Sequence, residues 1–180
     1  MSLIKITLPD NSIKEVKKGS TSQEIATLIG PRLSNDVVVS KVNGVLTDLN
    51  SPILKNSSLE LFTGDTPEGH DTLLHSTAHL MAQAVKVLYP KAKVTIGPTI
   101  ENGFYYDFDV DVSFTDEDLK KIEKKMKELA KLGQEIHRKE ITAKEAISFF
   151  EKLNEHYKVE IINQINQEDL ITTYRQSDFV

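Results

Sequence analysis

Alternating apolar positions open the chain. Ile4, Ile6 and Leu8 fall on one side of an extended segment, Pro9-Asp10-Asn11-Ser12 reads as a turn, and Ile13 to Val16 returns, which predicts an N-terminal hairpin. Thr21-Ser22-Gln23-Glu24 is a capping box, so a short helix is expected through Ile25, Leu28 and Ile29, ended by Gly30-Pro31. Val37 to Val42, the Asn43-Gly44 turn and Val45-Leu46 predict a second hairpin, and Leu59 to Phe62 a closing strand. The order β-β-α-β-β-β is that of a small β-grasp unit, assigned to residues 1–62.

The polar stretch Thr63-Gly64-Asp65-Thr66-Pro67-Glu68-Gly69 is read as a joint, and residues 63–180 as a second, α+β domain. There the apolar period changes from two to 3.6. A helix is expected from Asp71 or Thr72 to Tyr89 with Leu74, Ala78, Met81, Val85 and Leu88 inward, followed by strands at Val94 to Ile96 and Phe104 to Phe108. Thr115 caps a long helix whose buried stripe is Leu119, Ile122, Met126 and Leu129; its lysines, interleaved with Glu123 and Glu128, read as a solvated face. Ile136 to Ile141 is expected as a strand. A second capping box, Thr142-Ala143-Lys144-Glu145, opens a helix with Ala146, Phe149, Phe150 and Leu153 inward, and Tyr157 to Ile162 reads as a further strand. The ending Asp178-Phe179-Val180 reads as a strand cut short, as in a fragment.

Composition narrows the function classes. With 39% apolar and 27% charged residues in 180 positions, the chain is ordinary for a globular protein. No apolar run approaches the roughly 20 residues that span a bilayer, and the first residues lack a signal-peptide core, so a cytoplasmic address is expected. The absence of cysteine removes disulfides, thiolate metal sites and a cysteine nucleophile from these residues. Net charge is +1 over residues 1–62 and −6 over the remainder, so nonspecific attraction for nucleic acid is weak, and neither DNA nor a membrane is expected as a partner.

The candidate chemistry centres on His75 and His79. Their i, i+4 spacing puts both imidazoles on one helix face, beside Ala82 and Lys86 and bordering the buried stripe. Spacing alone leaves both packing and a site open. Ser76 stands where a zinc-protease His-Glu-x-x-His motif needs its glutamate, which excludes that motif. Lys158, on its own, reads equally as an edge residue whose head reaches water.

Three motifs carry a resemblance: Leu74-His75-Ser76-Thr77-Ala78-His79-Leu80, then Gly97-Pro98-Thr99-Ile100-Glu101-Asn102-Gly103-Phe104-Tyr105-Tyr106-Asp107, then Tyr157-Lys158-Val159. Together they resemble the N-terminal region of the bacterial threonyl-tRNA synthetase family, and the resemblance covers all 180 residues. Residues 1–62 look like its TGS domain, a β-grasp module, and residues 63–180 like an incomplete editing domain related to alanyl-tRNA editing domains. The resemblance implies hydrolysis of seryl-tRNA(Thr), with His75, His79 and Lys158 as editing residues and Tyr106 in the substrate pocket. Serine lacks one methyl of threonine, a difference that a binding pocket discriminates by only about 10 to 200-fold, hence the need for a second, hydrolytic sieve.

In that family a later segment, Asp-x-Cys-Arg-Gly-Pro-His, adds a cysteine and a histidine to the cluster, so these 180 residues are expected to be a weak deacylase or an inactive one. Two histidines make an incomplete zinc site, and no metal is assigned to them. The resemblance places ATP, Mg and Zn sites in an aminoacylation domain outside this sequence. Its implied partner is the acceptor end of tRNA(Thr) carrying serine. The fragment is expected to be monomeric and its parent a homodimer. Two other readings remain open: a free-standing TGS-containing regulatory or RNA-binding protein, and a stand-alone trans-editing aminoacyl-tRNA deacylase.

Overall fold

The computed structural model describes residues 2–101, 103–166 and 168–180; Asn102, part of the Gly97–Asp107 motif, lies outside the described residues. The chain divides into two compact units, Met1–Leu74 and His75–Val180.

In the first unit, strands β1 (Leu3–Thr7) and β2 (Ile13–Lys17) form the expected antiparallel hairpin. Helix α1 (Ser22–Ile29) starts at the Thr21 capping box, in which the Thr21 hydroxyl accepts from the Glu24 amide and the Glu24 carboxylate accepts from the Thr21 amide. A second short helix, α2 (Pro31–Asp36), was not anticipated. Pro31 begins it because the first helical position needs no amide donor and its fixed φ suits the turn. Strands β3 (Val37–Val42), β4 (Val45–Thr47) and β5 (Ser57–Thr63) complete a five-stranded sheet in the order β2-β1-β5-β3-β4, with β1 and β5 parallel. Asn43 (φ 52°) and Gly44 (φ 79°) both lie in the left-handed region, as a two-residue hairpin turn of matching twist requires. Ile4, Ile6, Val16, Ile25, Ile53 and Leu59 make the core between sheet and α1. This is the β-grasp arrangement.

Helix α3 (Pro67–Leu88) begins four residues earlier than the pattern predicted, because Pro67 suits a first turn and the Thr66 hydroxyl accepts from the Gly69 amide. Gly69 is required there: a Cβ would come 1.9 Å from the Thr63 carbonyl oxygen. Further along, Ala78, Ala82, Ala84 and Val85 are almost fully buried, so small side chains let other elements approach this helix closely.

After α3 come four two-residue strands, β6 (Lys93–Val94), β7 (Thr99–Ile100), β8 (Gly103–Phe104) and β9 (Phe108–Asp109), paired β6 with β9 and β7 with β8. The longer strands expected at Val94 to Ile96 and Phe104 to Phe108 are broken up, since Pro98 has no amide to donate and only isolated bonds, such as Asp107 amide to Ile96 carbonyl (2.9 Å), span the gap. Helix α4 (Asp116–Lys131) is capped by Thr115 as predicted, and Ile122, Met126 and Leu129 join Val85, Ala92 and Phe108 in one core cluster. Leu119, expected inward, is 55% exposed. It has the spacing of the stripe but stands in the first turn of α4, outside the core cluster that Ile122, Met126 and Leu129 join.

Strand β10 (Ile136–Thr142) leads through the Thr142 capping box into α5 (Ala143–Lys152). Leu153, expected inward, is exposed, because the helix stops at Lys152 and the chain turns through Asn154 at φ 55°. The segment read as a strand, Tyr157 to Ile162, is instead helix α6 (His156–Gln164). Val159 and Ile162, three residues apart, pack on the Ala143, Ala146 and Phe150 face of α5, and that burial outweighs the β-branched preference for strand. Strand β11 (Leu170–Gln176), absent from the sequence reading, pairs antiparallel with β10 over seven residues. Beyond it Ser177 (φ 55°) turns the chain, so that Phe179 bridges back to Gln176.

Ile6 is fully buried at the centre of the first core. Ile6→Ala should therefore destabilise that unit by about 2–5 kcal/mol, read as a lower urea midpoint at unchanged slope.

Candidate active site on α3 and α6

The site belongs wholly to the second unit. On α3 the Nε2 atoms of His75 and His79 are 3.0 Å apart, with ring centroids at 4.6 Å in an edge-to-face arrangement. One ring must donate and the other accept, so the contact requires at least one neutral imidazole. That neutral ring is His79. Burial first, then the neighbouring His75, then the Lys158 charge push its pKa down to about 4, while His75 itself is exposed.

Lys158 stands on the first turn of α6, where Tyr157 anchors the helix by donating its hydroxyl to Asp109 Oδ2 (3.0 Å). The Lys158 ammonium donates to the Val180 main-chain oxygen (2.6 Å) and lies 4.8 Å from the Phe150 ring centroid and 5.5 Å from that of Phe179. Desolvation draws its pKa below that of an ordinary lysine; Lys86 pushes the same way and Glu155 opposes both.

Tyr106 stacks on Phe108 with centroids 5.0 Å apart and rests on the backbone at Gly97, where a Cβ would come 2.1 Å from the ring. Burial, aided by the Glu155 charge, pushes its hydroxyl up to about 12, so it is a neutral phenol at any physiological pH.

Two groups join this set that sequence reasoning did not assign to it. Glu155 caps the start of α6 and is only 8% exposed; one of its oxygens pairs with the Lys86 ammonium at 2.9 Å. Lys86 continues the His75, His79 and Ala82 stripe of α3 and also donates to the Ala92 carbonyl (3.0 Å). The structure thus joins the two histidines directly, and brings Lys158 within electrostatic reach of His79 and Glu155 within reach of Lys158 and Tyr106. The stripe spacing was a signal for Lys86. Nothing in the sequence signalled the burial of Glu155. Among the described residues no cluster of three or more His, Asp or Glu side chains is arranged to hold a metal ion.

Comparison with known proteins agrees with both units. Residues 4–63 match the TGS domain. Over its full 180 residues the chain is 49% identical to the threonine–tRNA ligase of Citrifermentans bemidjiense and 48% identical to that of Geobacter sp. strain M21. It is 46% identical over 175 residues to the threonine–tRNA ligase of Coxiella burnetii. The chain spans about 28% of the length of these relatives, corresponding to their N-terminal part. Among the described residues no helix is long and apolar enough to cross a membrane.

Two outcomes test this geometry. His79 has a folded pKa of about 4 against an ordinary 6.5. The stability gained by keeping it neutral is therefore complete above about pH 6.5 and lost as the pH falls toward 4, and a pH series of unfolding free energies should show that loss in the native chain and not in His79→Gln. Gly97→Ala should displace the Tyr106 ring, seen as loss of its upfield-shifted ring resonances, while the His75–His79 contact persists.

Proposed function

We propose that this chain is the TGS and editing region of a threonine–tRNA ligase, and that in the full-length protein its second unit takes part in hydrolysing the ester of tRNA(Thr) mischarged with serine. The observation that carries the reading is the 3.0 Å histidine pair within electrostatic reach of a half-buried lysine ammonium, in a chain 46–49% identical to threonine–tRNA ligases. An aminoacyl ester is already activated, so hydrolysis needs a placed water, an acceptor for its proton and a positive group for the oxyanion; no covalent nucleophile is required.

Each requirement has a candidate. The histidine pair holds the water and accepts its proton as the water oxygen bonds to the ester carbonyl carbon. The Lys158 ammonium stabilises the negative charge that develops on the carbonyl oxygen. The ester C–O bond then breaks, and the ribose hydroxyl leaves with the proton the imidazoles hold. A His79 pKa near 4 suits orientation of the water by hydrogen bonding better than full proton abstraction, which leaves the more exposed His75 as the proton acceptor. The Tyr106 phenol and the ring beneath it wall the pocket, where threonine's extra methyl is excluded and serine fits.

ATP-dependent ligation, with its metal ions, and assembly as a dimer belong in this reading to the remainder of the full-length protein, and the setting is the cytoplasm. The acidic balance of residues 63–180 leaves most of the grip on tRNA to that remainder.

Seryl-tRNA(Thr) is the test substrate. In the full-length ligase, His75→Ala and Lys158→Ala should each slow release of serine by about a hundredfold or more with threonine activation near normal. Equal loss of both activities would indicate misfolding, and unchanged deacylation would reject the assignment.

A further inference from the structure

We propose that Glu155 is a positioning residue that acts through Lys158: its carboxylate, anchored on α3 by Lys86, supplies the negative charge one helical turn from the Lys158 ammonium. The proposal deepens the hydrolytic reading above and rests on it for its kinetic consequence only.

The geometry is unusual for a helix cap. Glu155 occupies the N-cap of α6 yet makes no side-chain capping bond there; its side chain is directed to α3, where one oxygen meets Lys86 at 2.9 Å. Its other oxygen is buried and, among the described residues, has no hydrogen-bond partner. A carboxylate so desolvated is costly to keep ionised unless more than one positive charge faces it. Two do: Lys86 in direct contact, and Lys158 one helical turn along α6.

The groups facing Lys158 are few. Glu155 lies at the start of its own helix, Lys86 and His79 come from α3, the Val180 main-chain oxygen accepts a hydrogen bond from it, and the Phe150 and Phe179 rings flank it. Glu155 is the one side chain among them whose charge favours the ammonium; burial and Lys86 act against it. Removing that carboxylate leaves two ammoniums near one another in a desolvated place. Lys158 then sheds its proton more easily, and a neutral amine cannot stabilise an oxyanion. Lys158 also helps keep His79 neutral, so the effect passes to the histidine pair.

The test is Glu155→Gln in this chain, which keeps size and shape and removes the charge. Lysine side chains are labelled with 13C at Cε, and the Lys158 signal is assigned by its loss in Lys158→Arg. The Lys158 titration midpoint should fall by about one pH unit or more, as expected for loss of an adjacent opposite charge, while exposed lysines such as Lys120 do not move. In the full-length protein the alkaline limb of seryl-tRNA hydrolysis should move to lower pH by a matching amount, with the rate recovering as the pH is lowered. A Lys158 midpoint unchanged in Glu155→Gln overturns the proposal even if the native protein hydrolyses seryl-tRNA. A shifted midpoint in a protein that hydrolyses nothing upholds the ionic role of Glu155 and rejects the hydrolytic reading instead. Should Glu155→Gln fail to fold, Glu155→Asp replaces it: drawing the carboxylate back by one methylene should lower the Lys158 midpoint, and a rise or no change counts against the proposal.

Discussion

A buried carboxylate in the second unit pairs with one lysine ammonium and stands one helical turn from a second, and much of the site's local architecture follows from that balance. Lys86 reaches Glu155 from α3, and Lys158 stands one turn beyond Glu155 on α6, so the Lys86–Glu155 pair ties together two helices separated by 67 residues of intervening chain. A buried charge without a partner costs several kcal/mol, and Lys86 supplies that partner to the more deeply buried Glu155. His79 is kept neutral first by its own burial, then by His75, with the Lys158 charge adding to both.

Close approach to α3 makes the cluster possible. Ala78, Ala82 and Ala84 are buried almost completely, and an alanine between His79 and Lys86 leaves room for neighbouring side chains where a larger residue would fill the space. Gly97 plays the same part for Tyr106, letting an aromatic ring lie directly on the backbone. Small residues here decide where the large functional ones can sit. The site is thereby preorganised by packing, while its polar groups supply the charge and hydrogen bonding that ester hydrolysis calls for.

The first unit shows a different division of labour. Its sheet buries six large aliphatic residues under one capped helix, and its turns use Asn and Gly where the backbone needs positive φ. Each local signal agrees with the global fold, which is why pattern and structure coincide so closely there.

By itself the sequence determined the β-grasp unit, two capping boxes and the Thr115 cap, the long α3 and α4 helices, and the placing of His75, His79 and Lys86 on one helical stripe, because all of these are written in short-range spacing. Tertiary structure decided the rest. Val159, Ile161 and Ile162 carry a strand's composition, yet burial of Val159 and Ile162 against α5 makes them helical. The strand at Leu170–Gln176 exists because β10 offers an edge to pair with, a partner 34 residues away that no local window contains. Glu155 reads as one more surface acid, and only the convergence of α3 and α6 gives it a buried place between two lysines, since burial depends on which elements meet and not on the residue's neighbours in the chain.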